Sequence, residues 1–111
     1  MPRPKIPRCV SAYPVIGAFV PQGRSANGEV FLSIEELEAI RLSDFEHLDQ
    51  ETAANMMEVS RHTYGRILGN ARTSVAEALV TAKALKIEGG TYELRGMGRR
   101  RRRRGRRGRG A

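Results

Sequence analysis

The sequence predicts a mainly α-helical domain with an extended or short-hairpin N-terminal arm and a disordered Arg-rich C-terminal tail. Three observations carry that reading. Ser33, Asp49 and Ser60 each precede a run with helical spacing, so three helix starts are marked. All five prolines lie in residues 1–32, where they block helix and push their predecessors toward extended backbone. Residues 95–111 hold only Arg, Gly, one Met and one Ala, a composition that cannot supply a core. The expected division is an arm over 1–32, a helical domain over 33–94 and a tail over 95–111.

In the arm, residues 15–20 and 29–32 have strand composition and flank an Asn27-Gly28 turn signal, so a small hairpin is expected. The first helix opens with a Ser33-x-x-Glu36 capping box. Ile34, Leu37, Ile40 and Phe45 then recur at roughly helical spacing, and Glu35, Glu38 and Arg41 fall off that stripe. Glu38 is placed to pair with Arg41, and the helix should run to about Glu46. A second helix follows Asp49, from Gln50 to Met57, and a third follows Ser60. From Leu68 an apolar stripe continues through Ala71, Val75, Leu79, Ala82 and Leu85. Its unbroken phase across Gly69-Asn70 favours one long helix, which Gly89-Gly90 should stop. Residues 91–94 read as a short strand able to pair with the N-terminal hairpin.

The net charge of +8 is unevenly distributed. Residues 1–94 carry ten basic and 12 acidic side chains, a net of −2, and the other ten arginines lie from Arg95 onward. A mildly acidic domain with a highly basic tail is a pattern suited to polyanions. No long apolar run marks a membrane span, and the N-terminus has no secretory signature. A cytoplasmic, nucleoid-associated protein is therefore expected. Cys9 is the only cysteine, so an intrachain disulfide is excluded and a zinc site cannot be built from it alone. His47 and His62 lack metal-ligand spacing. With no nucleophile–base pair, carboxylate pair or cofactor motif in view, an enzyme is not expected and no cofactor is called for.

The most informative stretch is residues 50–68, QETAANMMEVSRHTYGRIL. Two helical patterns joined by a three-residue turn are the sequence form of a helix-turn-helix. The motif needs small residues where its helices cross, and Ala53 and Ala54 are there. It needs apolar clamps, for which Met57, Val59, Tyr64 and Ile67 qualify. It needs outward polar residues on the first turns of the second helix, where base edges are reached. Ser60, Arg61, His62 and Arg66 supply them, with Gln50 at the start of the preceding helix. Arg suits guanine bidentately, and Ser or Thr suits phosphates or bases. Glu58 departs from the Gly usual in the turn, and a positive φ there costs a non-Gly residue about 1 kcal/mol. An ordinary helical hairpin with a solvated basic face would show several of the same features.

The residues also resemble a known family. RPK-x-P-R near the start, the segments ELEAIRL and SRHTYGRIL, and KAL-x-I-x-GG-x-Y together are similar to a group of small bacterial and archaeal proteins, the domain of unknown function family one hundred thirty-four. The resemblance covers about residues 2–93 and implies a DNA-binding role. The helical part also resembles region four of bacterial sigma factors, which implies a four-helix fold of that type, a role in transcription, and DNA-facing positions at Ser60, Arg61, His62, Thr63 and Arg66. The tail lies outside the matched stretch.

The leading expectation is thus a sequence-specific regulator bound to double-stranded DNA. Nonspecific phosphate contacts are expected from Arg99, Arg100, Arg101, Arg102, Arg103, Arg104, Arg106, Arg107 and Arg109. A homodimer is expected, because the stripe Val75, Leu79, Ala82 has little intrachain partner beyond the first helix and a domain of roughly 60 residues is marginal alone; the alternative is that the N-terminal arm covers the stripe. Two alternatives stay open: a nonspecific architectural or RNA-associated protein acting through the tail, and an adaptor contacting RNA polymerase.

Overall fold

The computed structural model describes residues 7–12 and 14–94. Five strands and three α-helices follow in the order β1 (Arg8–Val10), β2 (Ala18–Phe19), β3 (Glu29–Leu32), α1 (Ile34–Ile40), α2 (Gln50–Met57), α3 (Arg61–Thr81), β4 (Ala84–Ile87) and β5 (Tyr92–Leu94). A π-helical turn, Arg41–Phe45, extends α1. No helix among the described residues is long and apolar enough to cross a membrane. The tail arginines, Arg95 to Arg109, lie outside the described residues.

The caps fall where the sequence marks them. Ser33 Oγ accepts from the Glu36 amide at 3.2 Å, and Glu36 Oε1 accepts from the Ser33 amide at 2.9 Å. Asp49 accepts from the Thr52 amide at 2.7 Å and Ser60 from the Thr63 amide at 3.0 Å. Each cap satisfies amide donors that a helix start leaves without partners. α3 runs unbroken through Gly69-Asn70 for 21 residues.

The expected hairpin does not form. β2 and β3 both pair with β4, giving the order β2-β4-β3, with β2 antiparallel to β4 and β3 parallel to it. The helices between β3 and β4 serve as the crossover that parallel neighbours require. β5 pairs with β1, in parallel register Arg8↔Tyr92 and Val10↔Leu94.

α3 also ends well before Gly89-Gly90. Ala82 turns left-handed, at φ 58°, and Leu85 belongs to β4 rather than to the helix. The end is fixed from a distance. Asn27 donates its side-chain amide to Thr81 O at 3.0 Å and its backbone N–H to Ala82 O at 2.8 Å. These bonds occupy carbonyls that a helix end leaves without partners. The spacing of Leu79, Ala82 and Leu85 imitates a helix, but long-range pairing decides the outcome.

The helices carry two apolar cores with α3 common to both. One gathers Val10, Val30, Leu32, Ile34, Ala71, Ala78, Leu85 and Ile87. The other gathers Ala39, Leu42, Ala53, Ala54, Met57, Tyr64, Ile67 and Leu68. Each large aliphatic side chain removed from water in this way contributes about 1.5–3 kcal/mol.

The off-stripe carboxylates of α1 are not solvated, contrary to the amphipathic pattern. Glu35 is 6% exposed and Glu38 4%. Glu38 accepts from the Ser11 amide (3.2 Å), the Ser11 hydroxyl (3.0 Å) and Arg41 (2.9 and 3.1 Å). The pairing with Glu38, aided by Glu46, raises the Arg41 pKa. Glu35 accepts from the Thr91 amide at 3.0 Å. The two carboxylates thus bind the segments following β1 and preceding β5 to α1. A side chain on Gly90, at φ +105°, would collide with the Glu35 carboxylate and Ser33. Phe45 is likewise exposed rather than inward. The π-helical turn, in which the Glu46 amide reaches back to Arg41 O at 2.8 Å, shifts the phase and sends Leu42 into the core instead.

Candidate nucleic-acid interface

α2 and α3 are joined by Glu58, Val59 and Ser60. Glu58 is left-handed, at φ 59° and ψ 44°, the conformation the turn position demands. The Val59 amide donates to Ala54 O at 3.1 Å, closing the end of α2. Ala53 and Ala54 are buried where the helices meet, and Met57, Tyr64 and Ile67 lie in the same cluster. Tyr64 donates its hydroxyl to Ala39 O at 3.0 Å and shares a second hydrogen bond with Ser43. α1 and α3 are thereby locked together beneath the turn.

Glu58 and Ala82 both hold a conformation that suits glycine. Glu58→Gly and Ala82→Gly are each expected to stabilise the fold by about 1 kcal/mol, through relief of left-handed strain. Urea denaturation checks this, and an unchanged or lowered midpoint in both variants would show that the turns carry no such strain.

The capped N-terminus of α3 projects the expected reading residues. Arg61, His62 and Arg66 are exposed. Together with Gln50 and Gly65 they line one open groove of about 460 Å³. Gln50 is half-buried at the start of α2, and its Oε1 lies 3.7 Å from where a Cβ on Gly65 would sit. The missing side chain at Gly65 leaves the groove floor low between two basic side chains. Asp49, below Arg61, has its carboxylate pKa lowered, first by the Thr52 amide and more weakly by the Arg61 charge.

Ser60 and Thr63 are differently engaged. Ser60 Oγ caps α3 and donates to Thr63 Oγ1 at 3.0 Å. Thr63 retains its own hydroxyl hydrogen for an acceptor such as phosphate. It lies on the other flank of α3, in a crevice of about 140 Å³ that it shares with Arg8, Glu35, Glu36, Arg66, Ile67 and Asn70. Arg66 lines both hollows and links them. Of the six residues that the sequence marks, the open groove gathers Gln50, Arg61, His62 and Arg66; Ser60 and Thr63 set the start of the helix. Five residues of that crevice are not among those six, and Asn70 and Arg8 are the two that carry side-chain donors. Asn70 stands one turn beyond Arg66 on the same helix and is legible by spacing. Arg8 arrives only through the pairing of β1 with β5, for which no local signal exists.

A family match, described as protein of unknown function DUF134, covers residues 1–95. This chain belongs to that family. It is similar to the UPF0251 protein of Thermoanaerobacter sp. strain X514, at 51% identity over 96 residues, 85% of each chain. The UPF0251 protein of Caldanaerobacter subterraneus subsp. tengcongensis is 50% identical over 98 residues, 86% of this chain and 83% of its own. That of Halothermothrix orenii is 52% identical over 96 residues, 85% and 71% respectively. No solved structure matches the chain. The DUF134 match ends at residue 95, where the run of tail residues begins.

Proposed function

We propose that this DUF134 protein is a sequence-specific DNA-binding regulator of transcription that places the N-terminal half of α3 in the major groove. The observation that carries the reading is the grouping of Gln50, Arg61, His62 and Arg66 along one open groove, on the first turns of the second helix of a tightly crossed pair. That is where helix-turn-helix proteins present base-reading side chains. The sigma region-four likeness, a cytoplasmic nucleoid location and the absence of enzymatic chemistry belong to the same reading. The tail supplies sequence-independent affinity. Its ten arginines face a domain of net charge −2, so most long-range attraction to phosphate arises there.

Selection from random duplexes tests the proposal. The full chain is expected to enrich one motif. Deleting residues 95–111 should weaken binding to all duplexes by similar factors and leave the motif intact. It should also flatten the log affinity against log salt slope by about 0.9 for each phosphate that the tail neutralises in the full chain. Uniform, salt-sensitive binding with no enriched motif would instead favour a nonspecific nucleic-acid binder, the second reading that the arginine density supports.

A further inference from the structure

We infer that the C-terminal half of α3 and the edge strand β2 form a self-association face for a second copy of this chain. The face lies at the opposite end of α3 from the reading residues. Leu79 is 78% exposed, Val80 83%, Phe19 60% and Val20 67%. Val20 and Leu79 share a groove of about 210 Å³ with Val75, Ala82 and Leu85. Ala76, Leu79 and Val80 adjoin on α3 at spacings of three and four, which extends the apolar area beyond the groove.

Three arguments select a second copy as the occupant. The first is area. Leu79, Val80, Phe19 and Val20 together leave on the order of several hundred Å² open, the range in which the largest apolar patch of a monomer marks an interaction site. The second is charge. Lys83 pairs with Glu77 at 2.6 Å and Lys86 with Glu29 at 3.4 Å, so the charges beside the patch are balanced and two copies meet without repulsion. The third is composition. The segments outside the described residues are dominated by Arg, Gly and Pro, with Met1, Ile6, Tyr13 and Met97 as their only large apolar side chains.

The position suits a two-fold reader, a consequence that rests on the proposed function. Arg61 and Leu79 are about 27 Å apart along α3 at 1.5 Å per residue. Two such arms meeting near Leu79 bring their reading ends ~34 Å apart, one turn of duplex, when the helix axes diverge by about 80°. The selected motif should then be an inverted repeat with half-sites one turn apart.

Sedimentation equilibrium of the full chain without DNA, at tens of micromolar, decides the self-association. The parent is expected to run at twice the protomer mass of 12.3 kDa. Leu79→Lys should weaken the dimer at least ~10-fold, and Val20→Lys, on the other side of the groove, should act in the same direction. Both side chains are largely solvent-exposed in the protomer, so circular dichroism should show unchanged helix content. A monomeric parent, or dimers of undiminished strength in both folded variants, overturns the inference. Because no DNA is present, that failure is distinguishable from a failure of the DNA-reading proposal, which the duplex selection tests alone.

Discussion

Arg66→Ala should weaken binding to the selected duplex by about 1–3 kcal/mol, roughly 5- to 150-fold, and relax the preference at one base position. Arg61→Ala should do the same at a neighbouring position. Both side chains are exposed beside a groove floor kept low by Gly65. Such residues lose little by truncation in the free protein, so thermal melting should hardly change and the loss should appear in complex formation. Arg66 is expected to have the larger effect, because it lines both the open groove with Gln50 and Arg61 and the crevice with Arg8 and Thr63. Titrations at two salt concentrations separate the parts. A base-reading arginine changes which sequence wins, whereas a phosphate contact lowers all affinities together and reduces the salt slope by about one. If both variants are folded and bind the parent's motif with parental affinity, the reading helix is misassigned.

Tyr64→Ala should cost about 3–5 kcal/mol of folding stability, because a fully buried ring is removed from the meeting point of α1 and α3. Tyr64→Phe keeps the ring and isolates the hydroxyl, whose loss should cost about 1–2 kcal/mol by breaking the bonds to Ala39 O and Ser43. Burial is the main cause of the raised Tyr64 pKa, so the folded state favours the protonated phenol. Its contribution is therefore present below the ordinary value of 10.0 and lost as pH rises through the raised folded value. Tyr64→Phe should remove that alkaline loss. Urea midpoints measured near neutral pH and in alkali give both quantities. A Tyr64→Ala midpoint shifted no further than that of an exposed substitution such as Thr73→Ala would contradict the packing assigned to the ring.

Local signals make much of this legible. Ser33, Asp49 and Ser60 announce their helices because a cap is a bond within four residues of chain. The left-handed turn at Glu58 follows from the three-residue connection, and the groove residues Arg61, His62 and Arg66 follow from counting along α3. What stays hidden depends on distant partners. Residues 82–87 keep helical apolar spacing, and only Asn27, β2 and β3 turn them out of the helix and into a strand. Glu35 and Glu38 look solvated because their partners are the amides of Thr91 and Ser11, far away in sequence. Arg8 is beside Thr63 and Arg66 for the same reason. The π-helical turn that exposes Phe45 has no marker in the spacing of its side chains.

The register of the strands also orders the assembly of the chain. β1 pairs with β5 and β3 with β4, so each parallel pair joins an early segment to a late one. The helices nucleate from nearby residues, whereas these ladders must close long loops before any of their bonds form. During synthesis β1 to β3 and the three helices emerge before β4, and Val30, Leu32 and Ile34 wait beside the helices without the Leu85 and Ile87 that complete their core. The arrival of β4 is the step expected to be slow. The kinetic vulnerability expected of this protein therefore lies in β4 and β5, and a chain cut short ahead of Ala84 should collapse around its helices without reaching the native state.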